Sequence, residues 1–237
     1  MTHPTLDWSR IRFVVFDVDG TLYAQAPLRV RMAAELALHT LHSLSPSTAR
    51  ILSTYRSQRE VMADEAIENF ETVLLERSSR MCGCSRARVD SVVSEWIDHR
   101  PLRHIGKFTY PHLADLFEKI RMSGRKIGIL SDYPAQAKLA AMGLAADHVA
   151  HAAEVGVLKP DPRGLQHLME KAGCLPNETI MVGDRFERDG LAALRANVTP
   201  LIRSKRPLPE CLSFERYDDD LFKYLAPVAP RLASQAV

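Results

Sequence analysis

Ile11-Arg12-Phe13-Val14-Val15-Phe16-Asp17-Val18-Asp19-Gly20-Thr21-Leu22-Tyr23 joins a short apolar run, rich in β-formers, to a polar turn. The part up to Phe16 reads as a buried strand. At its end the alternation of side chains predicts that Asp17 and Asp19 point to the same side and share one small space. Two carboxylates so placed repel each other unless a cation sits between them, and oxygen-only ligands favour Mg²⁺. Gly20 lets the chain turn sharply away.

Similar strands recur later, at Lys126-Ile127-Gly128-Ile129-Leu130, His148-Val149-Ala150, Thr179-Ile180-Met181-Val182 and Val198-Thr199-Pro200-Leu201-Ile202. Each is separated from the next by a helix-length segment, which predicts an α/β fold with helices on the faces of a parallel sheet. One intervening helix begins near Pro134 and stops at Gly143. Another starts at Asp161-Pro162, carries Leu165, Leu168, Met169 and Ala172 at helical spacing, and stops at Gly173. Between the first strand and Lys126 the apolar positions recur at three and four instead. Val30, Ala33, Ala34, Ala37 and Leu41 form one stripe; Ala66, Ile67, Phe70, Val73 and Leu74 a second; Val89, Val92, Val93, Trp96 and Ile97 a third. With Ser45-Pro46 and Ser85 at N-cap positions, they predict a helical cap over residues 24–105, inserted after the first strand of a core made of 8–23 and 106–226.

Three further polar segments follow predicted strands, where open α/β sheets hold their ligands. Leu130-Ser131-Asp132-Tyr133-Pro134 offers a hydroxyl and free N–H groups as a seat for phosphate oxygens. Taken singly, Ser131 reads as a helix N-cap, and only its context promotes it. Val157-Leu158-Lys159-Pro160-Asp161-Pro162 presents Lys159 at a proline-fixed junction, where its ammonium can neutralise phosphate. By itself it reads as a solvated lysine, and only its context promotes it. Val182-Gly183-Asp184-Arg185-Phe186-Glu187-Arg188-Asp189 adds two candidate metal ligands, Asp184 and Asp189, of which Asp189 reads also as a cap of the next helix.

Taken in order, Asp17-Val18-Asp19-Gly20-Thr21, Ser131, Lys159 and Gly183-Asp184 through Asp189 resemble the four signature elements of the haloacid dehalogenase-like hydrolases, and the resemblance spans nearly the whole chain. It implies a Rossmann-like core under a helical cap. It also implies a phosphoric monoester hydrolase in which Asp17 attacks phosphorus and carries an aspartyl-phosphate. Asp19 would protonate the leaving alcohol and then activate water, its backbone carbonyl helping to hold Mg²⁺. Thr21 would help orient these groups and the transferring phosphoryl, Ser131 would bind a phosphate oxygen, Lys159 would offset charge on Asp17 and the phosphate, Asp184 would ligate the metal directly and Asp189 through water. Dehalogenases of that family lack a carboxylic acid at the place of Asp19, so the aspartate implies ester cleavage. The helical cap is similar to those of the phosphoglycolate phosphatase and pyrimidine nucleotidase branches, which implies a small phosphorylated metabolite as substrate. Two other readings stand beside this one: a phosphomutase of the same family, and a non-catalytic binder of phosphate ligands.

Composition bounds the rest. Lys plus Arg number 31 against 29 Asp plus Glu, a formal charge of +2 that argues for neither nucleic acid nor a membrane surface. No apolar run is long enough to span a bilayer, and Met1-Thr2-His3-Pro4 lacks the order of a signal peptide, so the expected location is the cytoplasm. Cys82, Cys84, Cys174 and Cys211 show no disulfide framework, and Cys82-Gly83-Cys84 has no second pair with which to bind zinc. His39 and His42 read as surface residues, and Arg203, Lys205 and Arg206 as a solvated basic loop. Arg29, Arg31 and Arg56 are cap cations able to meet an anionic substrate. The tail after Tyr224, with Pro227 and Pro230, is expected to fray.

Overall fold

The computed structural model describes residues 6–223 and 225–228; Pro230 and most of the tail expected to fray lie outside the described residues. Six parallel strands form one sheet: β1 (Phe13–Phe16), β2 (Lys126–Ser131), β3 (His148–His151), β4 (Thr179–Gly183), β5 (Thr199–Arg203) and β6 (Leu212–Phe214). Their spatial order is β3-β2-β1-β4-β5-β6. From β1 the chain builds outward first through β2 and β3, then returns to the other side of β1 with β4. The carboxyl ends of β1 and β4 therefore flank the point where strand order reverses, the place at which such sheets open a crevice for ligands.

Both faces of the sheet are covered, and the strands accordingly read as continuous apolar runs. Val14 and Phe16 pack into one cluster with Ile127, Ile129, Ile180 and Val182. Phe13 and Val15 pack into the opposite one with Leu130 and Met181. β6 escapes the sequence reading because it has three residues and only Phe214 of them is buried.

The chain between β1 and β2 is helical: α1 (Gln25–Ser43), α2 (Ser47–Asp64), α3 (Phe70–Cys82), α4 (Arg86–Val93), α5 (Leu102–Ile105) and α6 (Leu113–Met122). After β2 come α7 (Gln136–Ala141), α8 (Ala152–Val155), α9 (Arg163–Ala172) and α10 (Leu191–Arg195). Ser85 caps α4 through its hydroxyl, which accepts from the Arg88 N–H at 3.2 Å. Gly173 closes α9 with φ of 63°. A separate apolar cluster fills the helical insertion, built from Ile51, Leu52, Tyr55, Met62, Phe70, Leu74 and the whole third stripe, and it reaches the sheet through Ala152 and Leu158.

Two stripes differ from expectation. On α1, Val30 and Leu41 are 72% and 70% exposed, and it is Leu28, Met32 and Leu36 that face inward. The larger side chains, spaced at four, set the rotation of the helix, with Glu35 on the same side bound to His104. Ala66 and Ile67 precede α3 rather than joining it, because Ala66 and Asn69 take positive φ and the helix begins only at Phe70. His39 is half-buried, its ring 5.2 Å from that of Trp96.

Leu74 is fully buried in the insertion cluster. Leu74→Ala is expected to cost about 2–5 kcal/mol of unfolding free energy, read by urea denaturation at unchanged slope. A loss near zero contradicts closed packing there.

Candidate active site

The site is assembled where β1, β2 and β4 end. The Asp17 N–H continues the sheet by donating to the Val182 carbonyl at 2.8 Å, which fixes the first carboxylate beside β4. Gly20 follows with φ of 99°, and a Cβ there would collide with the Asp184 carboxylate, so this position requires glycine on both counts. One helical turn then closes from the Leu22 N–H to the Val18 carbonyl at 2.9 Å. It carries the Thr21 hydroxyl back to Asp17, where it donates to Oδ2 at 2.9 Å. Thr21, read from the sequence as a phosphate contact, thus spends its proton on Asp17. Tyr217, from beyond β6, donates its hydroxyl to the Thr21 carbonyl at 2.5 Å and pins the turn from below.

After β4, Gly183 is pressed against Asp189, leaving no room for a Cβ. Asp189 is 1% exposed. Its Oδ2 accepts the backbone N–H groups of Asp184 and Arg185 at 3.2 and 3.1 Å, so it organises the loop that presents Asp184. Lys159 reaches in from the segment after β3, behind a cis Lys159-Pro160 bond. It is 5% exposed and not solvated. Its Nζ donates to Asp17 Oδ1 at 2.5 Å and to Asp189 Oδ1 at 2.7 Å. Ser131 is buried, and its hydroxyl oxygen accepts the Tyr133 N–H at 3.2 Å, leaving the O–H to donate.

Carboxylate oxygens of Asp17, Asp184 and Asp189 all lie within 4.8 Å of one another. Asp19 stands apart, which corrects the expectation that its side chain shares the space of Asp17. Both its oxygens accept from Lys138 Nζ, at 2.6 and 2.7 Å, and Tyr23 donates its hydroxyl to the same group. Any contact of Asp19 with the cation must therefore come from its main-chain carbonyl.

The electrostatics divide the acids likewise. Burial pushes the Asp17 carboxyl well up; Lys159 opposes this, while Asp189, Asp184 and Asp19 add to it. Burial, then the Asp189 charge, pushes Asp184 up to about 6. Burial would raise Asp19 too, but the Lys138 ammonium and the Tyr23 hydroxyl outweigh it and hold the group below the ordinary carboxylate value. A divalent cation among the three clustered acids would relieve their mutual repulsion, and an all-oxygen donor set suits a hard ion. The residues present fit such a metal.

The helical insertion closes over this centre through α2. Arg59 is buried with its guanidinium 4.2 Å from the Tyr133 ring centroid and 4.9 Å from that of Phe70, and it donates to the Asp132 carbonyl. Glu60 pairs with Arg185 at 3.1 Å and with Arg188 at 2.8 Å. Of the cap cations named from sequence, Arg31 pairs with Glu35 at 3.2 Å, Arg56 is exposed, and Arg29, also exposed, lines the same cavity as Gly20.

Lys138 and Arg59 escaped the sequence reading, yet a signal for both was present. Lys138 follows Ala135 by three and adjoins Leu139, and Arg59 continues the buried series Ile51, Leu52, Tyr55 before Met62. A charge on the buried stripe of an amphipathic helix needs a partner, and so marks a site.

With that geometry in place, comparison with known proteins adds the following. The family model for haloacid dehalogenase-like hydrolase matches residues 11–197. The phosphoglycolate phosphatase of Escherichia coli K12 is 26% identical over 208 residues, covering 81% of this chain and 80% of the relative. The glyceraldehyde 3-phosphate phosphatase of Methanothermobacter thermautotrophicus is 22% identical over 198 residues, covering 81% and 85%. Among solved structures, the 2-haloacid dehalogenase of Pseudomonas syringae pv. Tomato superposes with a TM-score of 0.60 at 20% identity, over 87% of this chain and 95% of that one; at that identity the likeness speaks to the fold alone.

A divalent cation at about 100 times its dissociation constant should add ~2.7 kcal/mol to stability, or roughly 5–11 °C in melting temperature for a chain of this size. Asp184→Asn should abolish the rise. Equal melting temperatures with cation and with chelator would contradict the metal assignment.

Proposed function

Since the chain belongs to the haloacid dehalogenase-like hydrolases, we propose that it is a Mg²⁺-dependent phosphomonoesterase acting on a small phosphorylated metabolite through an aspartyl-phosphate on Asp17. The observation that carries this reading is the division of labour between two neighbouring aspartates. Asp17 is buried between Lys159, Thr21 and the acidic cluster, and Asp19 is held apart by Lys138 and Tyr23. A site that only bound phosphate would have no use for a nucleophile beside an independently positioned acid.

In this scheme Lys159 and Thr21 fix the Asp17 carboxylate by its two oxygens, which leaves a lone pair for attack on phosphorus. Ser131 donates its O–H to a phosphoryl oxygen. Mg²⁺, held by Asp17, Asp184 and the Asp19 carbonyl with Asp189 behind them, would neutralise charge on the phosphoryl group. Asp19, held ionised by Lys138 and Tyr23 in the free site, takes up a proton when the phosphate dianion binds and gives it to the leaving alkoxide as the P–O bond breaks. It then takes one from the water that attacks the aspartyl-phosphate, so inorganic phosphate leaves and Asp17 is restored. Lys138 and Tyr23 hold Asp19 in place for both steps. The two relatives, phosphatases of phosphoglycolate and of glyceraldehyde 3-phosphate, support a small phosphoester as substrate.

Release of phosphate from a phosphoester panel with Mg²⁺ tests the activity, and an isomerised product with little free phosphate would mark a mutase instead. Asp17→Asn should abolish turnover, and Asp19→Asn should slow it by roughly 10²- to 10⁴-fold. Wild-type turnover by purified Asp17→Asn would contradict the covalent route.

A further inference from the structure

Two basic features lie outside that scheme, Arg29 on α1 and the Arg203-Ser204-Lys205-Arg206 run that ends β5. They are far apart in sequence, yet Arg29, Arg203 and Lys205 line one cavity of about 490 Å³ whose wall also contains Gly20 and Asp184. Tyr110 forms part of the same wall, and the Arg203 guanidinium lies 3.6 Å from its ring centroid. Arg203 Nε is buried with no hydrogen-bond partner among the described residues. No carboxylate among the described residues is ion-paired with Arg29, Arg203 or Lys205, whereas Lys138, Lys159, Arg185 and Arg188 have acidic partners and Arg59 is spent on the Asp132 carbonyl and two rings.

Three uncompensated cations around one concavity attract an anion, and an arginine already flattened on a ring loses little freedom in gripping a planar or tetrahedral oxyanion. Gly20 follows Asp19 in the chain and Asp184 belongs to the acidic cluster, so a substrate whose leaving oxygen meets Asp19 can extend past Gly20 into this cavity. At about 490 Å³ the cavity is far larger than a two-carbon tail requires and has room for a sugar-sized skeleton. We infer that Arg29, Arg203 and Lys205 form a second anion subsite, and that the preferred substrate is a phosphomonoester of sugar size whose leaving portion carries a further phosphate or carboxylate. This rests on the phosphomonoesterase reading above.

Two matched pairs test it: fructose 1,6-bisphosphate against fructose 6-phosphate, and 3-phosphoglycerate against glycerol 3-phosphate. In one pair the doubly anionic member should lead by roughly tenfold or more in kcat/KM, expressed in KM, as loss of a charge-assisted bond would give. The pair that responds tells phosphate from carboxylate. Arg203→Gln and Arg29→Gln should erase most of that preference and Arg203→Lys should keep most of it. Arg206→Gln, on an exposed side chain off the cavity, should leave it unchanged. Equal kcat/KM within both pairs, or variants that slow both members alike, overturns the subsite while the hydrolytic reading stands. If wild type cleaves none of the four, the hydrolytic reading is decided by the wider phosphoester panel and the subsite by calorimetric binding. Tighter binding of one doubly anionic member, lost in Arg203→Gln, upholds it; equal affinities within both pairs overturn it.

Discussion

The Lys159 ammonium, sealed between Asp17 and Asp189, is the interaction on which the rest of the structure depends. Three acids meet at the ends of β1 and β4 with little water to screen them, and one buried cation from a third segment offsets part of their repulsion. Removing one partner from a buried ion pair typically costs about 3–5 kcal/mol, so the surrounding fold must hold all of them firmly. It does so with strands whose residues are closed to solvent on both faces, with two glycines that permit close approach, and with Tyr217 tying the turn after Asp17 to the far end of the sheet. What repulsion remains is a standing preference for a divalent cation.

The second lysine serves a different end. Lys138 takes Asp19 out of the cluster, so two aspartates a residue apart acquire opposite electrostatic surroundings. One is crowded by like charge, the other is held by an ammonium and a phenol. Separate environments are what allow neighbouring carboxyl groups to take separate chemical roles. Above them, the helical insertion rests on the core through Arg59 and through ion pairs such as Glu60 with Arg185, both about half-exposed on their side chains. Pairs of that kind contribute little stability, so they hold the insertion to the core only weakly.

Much of this was legible in the residues. The apolar run to Phe16 and its four successors have the period and length of buried strands, and turn glycines and prolines marked the helix ends. The family is shown by the match over residues 11–197, in line with the resemblance carried by Asp17-Val18-Asp19-Gly20-Thr21, Ser131, Lys159 and Gly183-Asp184. Other features were not legible because tertiary packing decided them. The rotation of α1 followed Leu28, Met32 and Leu36 rather than the alanine-rich stripe, since bulk outweighs the count of apolar positions. The direction of the Asp19 side chain depended on a lysine 119 residues away in sequence. Arg29 and Arg203 could not be joined by any local pattern, because the sheet and the insertion bring them together only in three dimensions.

The central claim is that acids from β1 and β4 converge on one divalent cation while Lys159 stays between Asp17 and Asp189. Anomalous diffraction from crystals grown with Mn²⁺ tests it most directly. A single strong peak is expected within roughly 2.0–2.6 Å of carboxylate oxygens of both Asp17 and Asp184. Manganese bound elsewhere on the protein, with no density between those two side chains, would contradict the account.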